Sequence, residues 1–111
     1  MDLGPELYVT EMDVRLPPPT TPELLEHQAA IYRGVLETCL TFPSFRGFQT
    51  WGITDRHSWI PRRFAGTGAA LPFDEQYRPK PAYTALHECL AAGQTKCNAK
   101  RAAAGQTVGR E

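Results

Sequence analysis

Glu11 and Trp51 are the residues of this sequence whose chemistry and position stand out. Glu11 follows the apolar, β-branched run Leu7–Thr10, so a buried strand would present its carboxylate at the carboxyl end. Trp51 closes a second apolar run, Phe45–Trp51. In parallel α/β proteins, functional side chains gather at the carboxyl ends of strands. A carboxylate beside an aromatic ring suits a sugar, because aromatic faces bury the apolar faces of pyranose rings.

The hydrolysis of a glycosidic bond requires two carboxyl groups, which stand roughly 5–5.5 Å apart in retaining enzymes. Asp13 lies close to Glu11 in the sequence, and an acid in that position more often holds a neighbouring side chain in place than forms the catalytic pair. Asp74 and Glu75 lie in a turn-like context, which favours a solvated loop. By these residues alone, Glu11 is either a catalytic carboxylate or an exposed acid at the end of a strand.

The elements that would position these residues alternate along the chain. Thr21 and the proline after it predict a helix start, and apolar residues then recur at helical spacing to about Thr41. Residues 52–79 show no sustained period, but their length and aromatic content indicate an ordered, functional loop. Pro81 opens a second helix, and Gly93 ends it.

The series strand, helix, strand, helix predicts an α/β fold with parallel strands joined by right-handed crossovers. Two strands cannot cover both faces of a parallel sheet, and a complete (β/α)8 TIM barrel has eight such units over ~250 residues. The sequence therefore predicts a piece of a larger barrel. Residues 93–111 carry no core pattern and are predicted to form a disordered basic tail.

Charge and cysteine usage give no indication of a charged partner or a metal site. Twelve basic and twelve acidic side chains cancel, so neither a nucleic-acid partner nor a membrane surface is predicted. No apolar run is long enough to span a membrane, and the first residues show no secretory signal. Cys39, Cys89 and Cys97 lack metal-ligand spacing, so no metal or other cofactor is predicted.

Three blocks of this sequence resemble the family 10 glycoside hydrolases in order and spacing. Tyr8–Val14 (YVTEMDV) is similar to the strand that carries the family's nucleophile. Trp51–Trp59 (WGITDRHSW) resembles its eighth-strand signature, and Leu71–Tyr83 (LPFDEQYRPKPAY) resembles its run into the last helix. The resemblance assigns residues 1–92 to the C-terminal part of the catalytic domain, with barrel strands 7 and 8 and their helices.

The resemblance also implies roles for the candidate site. Glu11 falls on the nucleophile of a double-displacement mechanism, and Asp13 on an acid that supports this nucleophile through a histidine. Trp51 and Trp59 fall on aromatic residues that wall the glycone subsites, although plain core packing would also explain two tryptophans. The family's acid/base glutamate and the histidine belong to earlier strands, and this sequence lacks both.

Three further residues of the similar blocks are expected to be structural. Asp55 should order its loop rather than touch sugar, His57 should pack within the loop, and Lys80 should set the start of the final helix.

The implied activity is endo-hydrolysis of β-1,4-xylan with retention of configuration, with xylan or xylooligosaccharide as the partner and secretion as the location. A chain without the acid/base residue is expected to be nearly inactive by itself. Two other interpretations stay open. The chain could be a non-catalytic xylan-binding remnant that uses Trp51 and Trp59, or an inactive gene fragment that folds only with the missing N-terminal barrel portion.

Overall fold

The computed structural model describes residues 4–93. Their order is β1 (Leu7–Met12), α1 (Pro22–Leu40), β2 (Phe45–Thr50), a 3₁₀ turn (Asp55–His57), α2 (Ile60–Arg63) and α3 over residues 81–93. Cys97 and the tail predicted over 93–111 lie outside the described residues, apart from Gly93, which is still helical.

The two strands pair side by side and parallel, as the alternation of strand and helix predicted. Met12 stands opposite Thr50 in the register, and the Trp51 amide donates to the Met12 carbonyl over 3.1 Å. β1 continues past Thr10, its predicted end, because the pairing with β2 extends to Met12. Both strands thus end at the same edge of the sheet.

Helix α1 begins where the sequence predicted. The Thr21 hydroxyl accepts a hydrogen bond from the Leu24 amide at 3.2 Å, which satisfies one of the N–H groups that the first turn leaves open. The helix ends at Leu40, just short of the predicted Thr41, which forms its C-cap. Its buried side chains are Gln28, Ala29, Tyr32 and Leu36.

Two buried polar side chains attach α1 to the segments after β1 and before α3. The Gln28 amide donates to the carbonyls of Val14, at 2.7 Å, and Ala69. The Tyr32 hydroxyl donates to the Ala70 carbonyl at 2.6 Å, and burial raises its pKa, so it stays protonated as a donor. Because a buried polar group without a partner costs about 1–3 kcal/mol, these bonds fix α1 against both segments.

The core lies between α1, α3 and the loop before α3. Tyr32, Leu36, Leu71 and Ala82 are fully buried there. By contrast, Tyr8 on β1 remains 53% exposed. A parallel sheet is normally covered on both faces, and the described residues do not provide that cover.

Residues 52–79 are ordered, as their aromatic content predicted, but they contain short elements that the sequence did not reveal. The 3₁₀ turn and α2 have three and four residues, too few for a periodic pattern to show. Isolated bridges join Phe73 to both Thr54 and Pro79. These pairings between distant residues, rather than local propensity, set the path of the loop.

A buried ion pair ties this loop to the start of α3. The Lys80 ammonium group donates to Asp55 Oδ2 at 2.9 Å and to the carbonyls of Ala69 and Leu71 at 2.8 and 2.6 Å. The other oxygen of Asp55 accepts from the Leu71 amide at 2.8 Å. Burial raises the pKa of the Asp55 carboxyl, and the hydrogen bond from Lys80 opposes that rise. These contacts agree with the structural roles expected of Asp55 and Lys80.

Replacement of Lys80 by methionine is expected to lower the free energy of unfolding by about 3–5 kcal/mol, because Asp55 would be left as a buried, unpaired charge. Urea unfolding followed by circular dichroism measures the loss. Arg33→Met is the matched control: its pair with Glu88 is exposed, and about 0–1 kcal/mol is expected. The double variant Lys80→Met/Asp55→Leu should recover part of the loss. Equal effects of Lys80→Met and Arg33→Met would contradict the structural role of Lys80.

Candidate functional site

Glu11 and Trp51 lie at the same end of the sheet, where both strands end. Glu11 is the last but one residue of β1, and Trp51 directly follows β2. The hydrogen bond from the Trp51 amide to the Met12 carbonyl holds the two chain segments together there. Glu11 is exposed, and its carboxylate accepts no hydrogen bond from any residue between 4 and 93. Parallel pairing thus places the two residues that the sequence singled out at the same end of the sheet.

Asp13 joins Trp59 to the end of β1. The Trp59 indole N–H donates to Asp13 Oδ2 at 2.8 Å. The second oxygen of Asp13 is buried and has no hydrogen-bond partner in the described residues. Burial raises the pKa of the Asp13 carboxyl, and the bond from Trp59 opposes that rise. The expectation from spacing, that Asp13 holds a neighbouring side chain, fits this contact, and the side chain is Trp59.

The segment after β1 is hydrogen-bonded to the loop before α3. The Val14 amide donates to the Ala70 carbonyl at 3.1 Å, and Leu16 and Gly68 exchange two amide-to-carbonyl bonds of 2.9 and 3.0 Å. Leu16 is buried. Because alternate side chains of an extended chain face opposite sides, Asp13 and Arg15 share the face opposite to that of the buried Leu16.

Phe64 supports Trp59 from the side. The two rings are 5.7 Å apart, edge to face, a favourable arrangement for aromatic pairs. The Arg15 guanidinium lies over the Phe64 ring, 4.0 Å from its centre. Sequence reasoning missed both Arg15 and Phe64. The local sequence indicated only that Arg15 lies two residues after Asp13, so that both side chains would share one face of an extended chain.

Trp51 and Trp59 are both accessible at this edge. They are 46% and 42% exposed. Plain core packing, the alternative that the sequence left open, buries tryptophan much more completely. Exposed aromatic rings beside an exposed carboxylate are suited to bind a sugar through ring stacking.

The other polar residues of the loop have structural contacts. His57 meets the Tyr77 hydroxyl at 3.2 Å on the surface, in line with the loop packing expected of it. Asp74 accepts hydrogen bonds from the Gln76 and Arg78 amides, each at 2.9 Å. The bond from the Arg78 amide is the main reason why the pKa of Asp74 lies below its usual value. Asp74 therefore stabilises a turn, as its context predicted.

At this end of the sheet, the described residues offer one carboxylate without a hydrogen-bond partner, that of Glu11. Of the two acids at the end of β1, Asp13 is bonded to Trp59, and Glu11 faces solvent. Among residues 4–93, no three metal-ligating side chains converge, and no helix is long and apolar enough to cross a membrane. Glu11 can act as a nucleophile or a base toward a group bound against the tryptophans.

Comparison with known sequences gives the relatives of this chain. Residues 1–89 match the family described as Glycosyl hydrolase family 10. Endo-1,4-beta-xylanase B of Thermotoga neapolitana is 46% identical over 90 residues, which make up 80% of this chain and 26% of that protein. Endo-1,4-beta-xylanase C of Phanerodontia chrysosporium is 40% identical over 83 residues, 75% of this chain and 21% of that protein. The chain spans about a quarter of the length of these relatives.

Solved structures agree with this result. Native xylanase 10B from Thermotoga maritima superposes with a TM-score of 0.75 at 44% identity, covering 78% of this chain and 27% of that one. Xylanase 10B from Thermotoga petrophila RKU-1, in complex with xylobiose, gives the same TM-score, identity and coverage. These relatives indicate a TIM-barrel family. The described residues form a small α/β piece with two parallel strands.

Asp13→Ala is expected to release the Trp59 indole and to lower the free energy of unfolding by about 1 kcal/mol, the usual value of a hydrogen bond. In a Trp51→Phe background, where only Trp59 emits, its fluorescence maximum should move to longer wavelength as the ring meets more water. Asp13→Asn, which keeps an acceptor oxygen, should shift it less. Glu37→Ala, at an exposed acid of α1, is the control. A Trp59 spectrum that Asp13→Ala leaves unchanged would contradict the contact.

Proposed function

Because the chain belongs to glycosyl hydrolase family 10, we propose that it carries the nucleophile half of the active site of a retaining endo-1,4-β-xylanase. The observation that supports this proposal most strongly is the position of Glu11. Its exposed carboxylate lies near the end of β1, where Met12 bonds to Trp51, and the hydrogen-bonded pair Asp13 and Trp59 follows directly after β1. Parallel barrels concentrate their catalytic residues at this end of the strands.

Residues 1–92 are proposed to form the C-terminal part of the catalytic barrel, with β1 and β2 as barrel strands 7 and 8. Three similar blocks in family order support this assignment. The exposed faces of the sheet support it as well: Leu7 and Tyr8 are 36% and 53% exposed, whereas strands in a complete parallel barrel are covered on both faces.

In the proposed reaction, a Glu11 oxygen attacks the anomeric carbon of a xylosyl unit as the bond to the leaving oxygen breaks. A carboxylic acid from another part of the barrel gives its proton to that oxygen, and water then hydrolyses the glycosyl ester. Trp51 and Trp59 would stack against the sugars on the glycone side. Asp13 keeps Trp59 in place and presents a buried oxygen that has no partner among residues 4–93, and this oxygen can accept a hydrogen bond from the rest of the barrel.

Xylan is the proposed substrate class. The family and the xylanase names of the relatives support it, and one structural relative was solved with xylobiose. The acid/base carboxylate has no counterpart in this chain. The 111-residue chain is therefore proposed to have negligible activity by itself, because general-acid help contributes roughly 10²–10⁴-fold.

The purified chain is expected to release no reducing sugar from xylan. Mixed with a polypeptide that holds the remaining barrel of the Thermotoga neapolitana relative, it should restore hydrolysis. Glu11→Gln should reduce the restored rate by at least about 10³-fold, since the nucleophile would be lost. Glu37→Gln, which removes an exposed acid from α1, is the matched control and should leave the rate unchanged.

The same mixtures separate this proposal from its alternatives. Robust turnover by the chain alone would contradict the missing acid, and restored activity that survives Glu11→Gln would contradict the nucleophile. A chain that quenches its tryptophan fluorescence with xylohexaose but restores no activity would instead be a non-catalytic xylan-binding remnant, which the exposure of Trp51 and Trp59 favours as second candidate.

A further inference from the structure

The arginines between residues 4 and 93 fall into two groups. Members of the first group each face a carboxylate, at 2.8, 3.5 and 2.9 Å: Arg33, Arg46 and Arg78. Members of the second group have neither a carboxylate partner nor a side-chain hydrogen bond within the described residues: Arg15, Arg56, Arg62 and Arg63. The second group lies on the segments that carry Asp13 and Trp59. Although the whole chain is neutral, the arginines on these two segments have no carboxylate partner among residues 4–93.

Phe64 brings two of these arginines together. The guanidinium carbons of Arg15 and Arg63 lie 4.0 and 5.2 Å from the centre of its ring, within the range of cation–π attraction. Such contacts restrict two long side chains while leaving their N–H donors unused. A guanidinium group has five donors in a planar fork that matches a carboxylate.

The Phe64 ring also connects this arginine pair with the proposed sugar site. Phe64 packs on Trp59 at 5.7 Å, and Trp59 is bonded to Asp13. Along the chain, Arg15 follows Glu11 by four residues, a span of at most about 14 Å even when fully extended. A polysaccharide that reaches Glu11 and lies against Trp59 would therefore pass close to both guanidinium groups.

We propose that Arg15 and Arg63 bind the carboxylate of a uronic acid substituent on the xylan chain. A neutral sugar has no charge that requires two guanidinium groups, whereas a carboxylate accepts paired, charge-assisted hydrogen bonds from them. This inference rests on the proposed function and adds to it a preference for acidic xylan over unsubstituted xylan.

The test is a titration of the full chain with two xylooligosaccharides of equal backbone length, one neutral and one with a single glucuronic acid substituent. Quenching of the fluorescence of the two tryptophans reports binding. At low salt, the acidic ligand is expected to bind about tenfold more tightly, and the difference should shrink as salt screens the charges. Arg15→Gln/Arg63→Gln should abolish the preference while binding of the neutral ligand remains.

Two further variants separate recognition from general charge. Arg33→Gln/Arg46→Gln removes the same amount of charge from arginines elsewhere on the surface and should keep the preference. Arg15→Lys/Arg63→Lys keeps the charge without the planar fork and should retain only part of it. Circular dichroism confirms that each variant is folded.

Equal affinity for the two ligands would overturn this inference alone, because binding of the neutral ligand would still support the xylan site. Failure to bind either ligand would overturn it together with binding by Trp51 and Trp59. An equal loss of preference in Arg33→Gln/Arg46→Gln would reduce the effect to net charge and overturn the specific site. Equally tight binding of an acidic oligosaccharide without a xylan backbone would overturn the assignment to xylan.

Discussion

The buried ammonium group of Lys80 is the constraint on which the rest of this structure depends. A charge removed from water must have its donors satisfied, and here the acceptors come from Asp55 and from two carbonyls of the following loop. The start of α3, the loop before it and the 3₁₀ turn after β2 are thereby fixed to one another. Since the loop also carries Trp59, a structural ion pair far from Glu11 in sequence sets one wall of the candidate site.

The same framework explains why Glu11 is exposed at the end of β1. The core of the described residues is built from α1, α3 and the loop before α3, and the strands form a two-stranded sheet rather than a closed barrel. Enzymes stabilise developing charge with dipoles in a site from which water is excluded. Glu11 instead faces solvent in the described residues. The sheet thus supplies direction to the carboxylate, and in the proposed barrel the surroundings that would make it reactive come from further strands.

A chain of contacts runs outward from the end of β1. Asp13 holds Trp59, Trp59 packs on Phe64, and Phe64 in turn orders Arg15 and Arg63. A hydrogen bond, an aromatic pair and two cation–π contacts are individually weak, yet each restricts the next side chain and so lowers the entropy lost on binding a ligand. Sugar stacking and recognition of a charged substituent would share one set of side chains.

The sequence by itself determined the local elements, the parallel α/β class and the family. Strand runs, the Thr21 cap and the stripe of α1 depend on neighbours a few residues away, so periodicity and capping chemistry predict them. Even there, the apolar Ile31 of α1 is 38% exposed, because burial depends on what packs against the helix. The position of Glu11 near the end of a strand followed from the apolar, β-branched run before it. Its role as nucleophile, and the barrel units to which β1 and β2 correspond, remain predictions.

Only the tertiary structure decided which distant residues meet. The bond between Trp59 and Asp13, the ion pair of Lys80 with Asp55 and the contact of Arg15 with Phe64 all join residues that lie far apart in sequence. Such contacts form when the closure of a loop satisfies buried polar groups, and that balance is a property of the whole packed chain rather than of any local stretch.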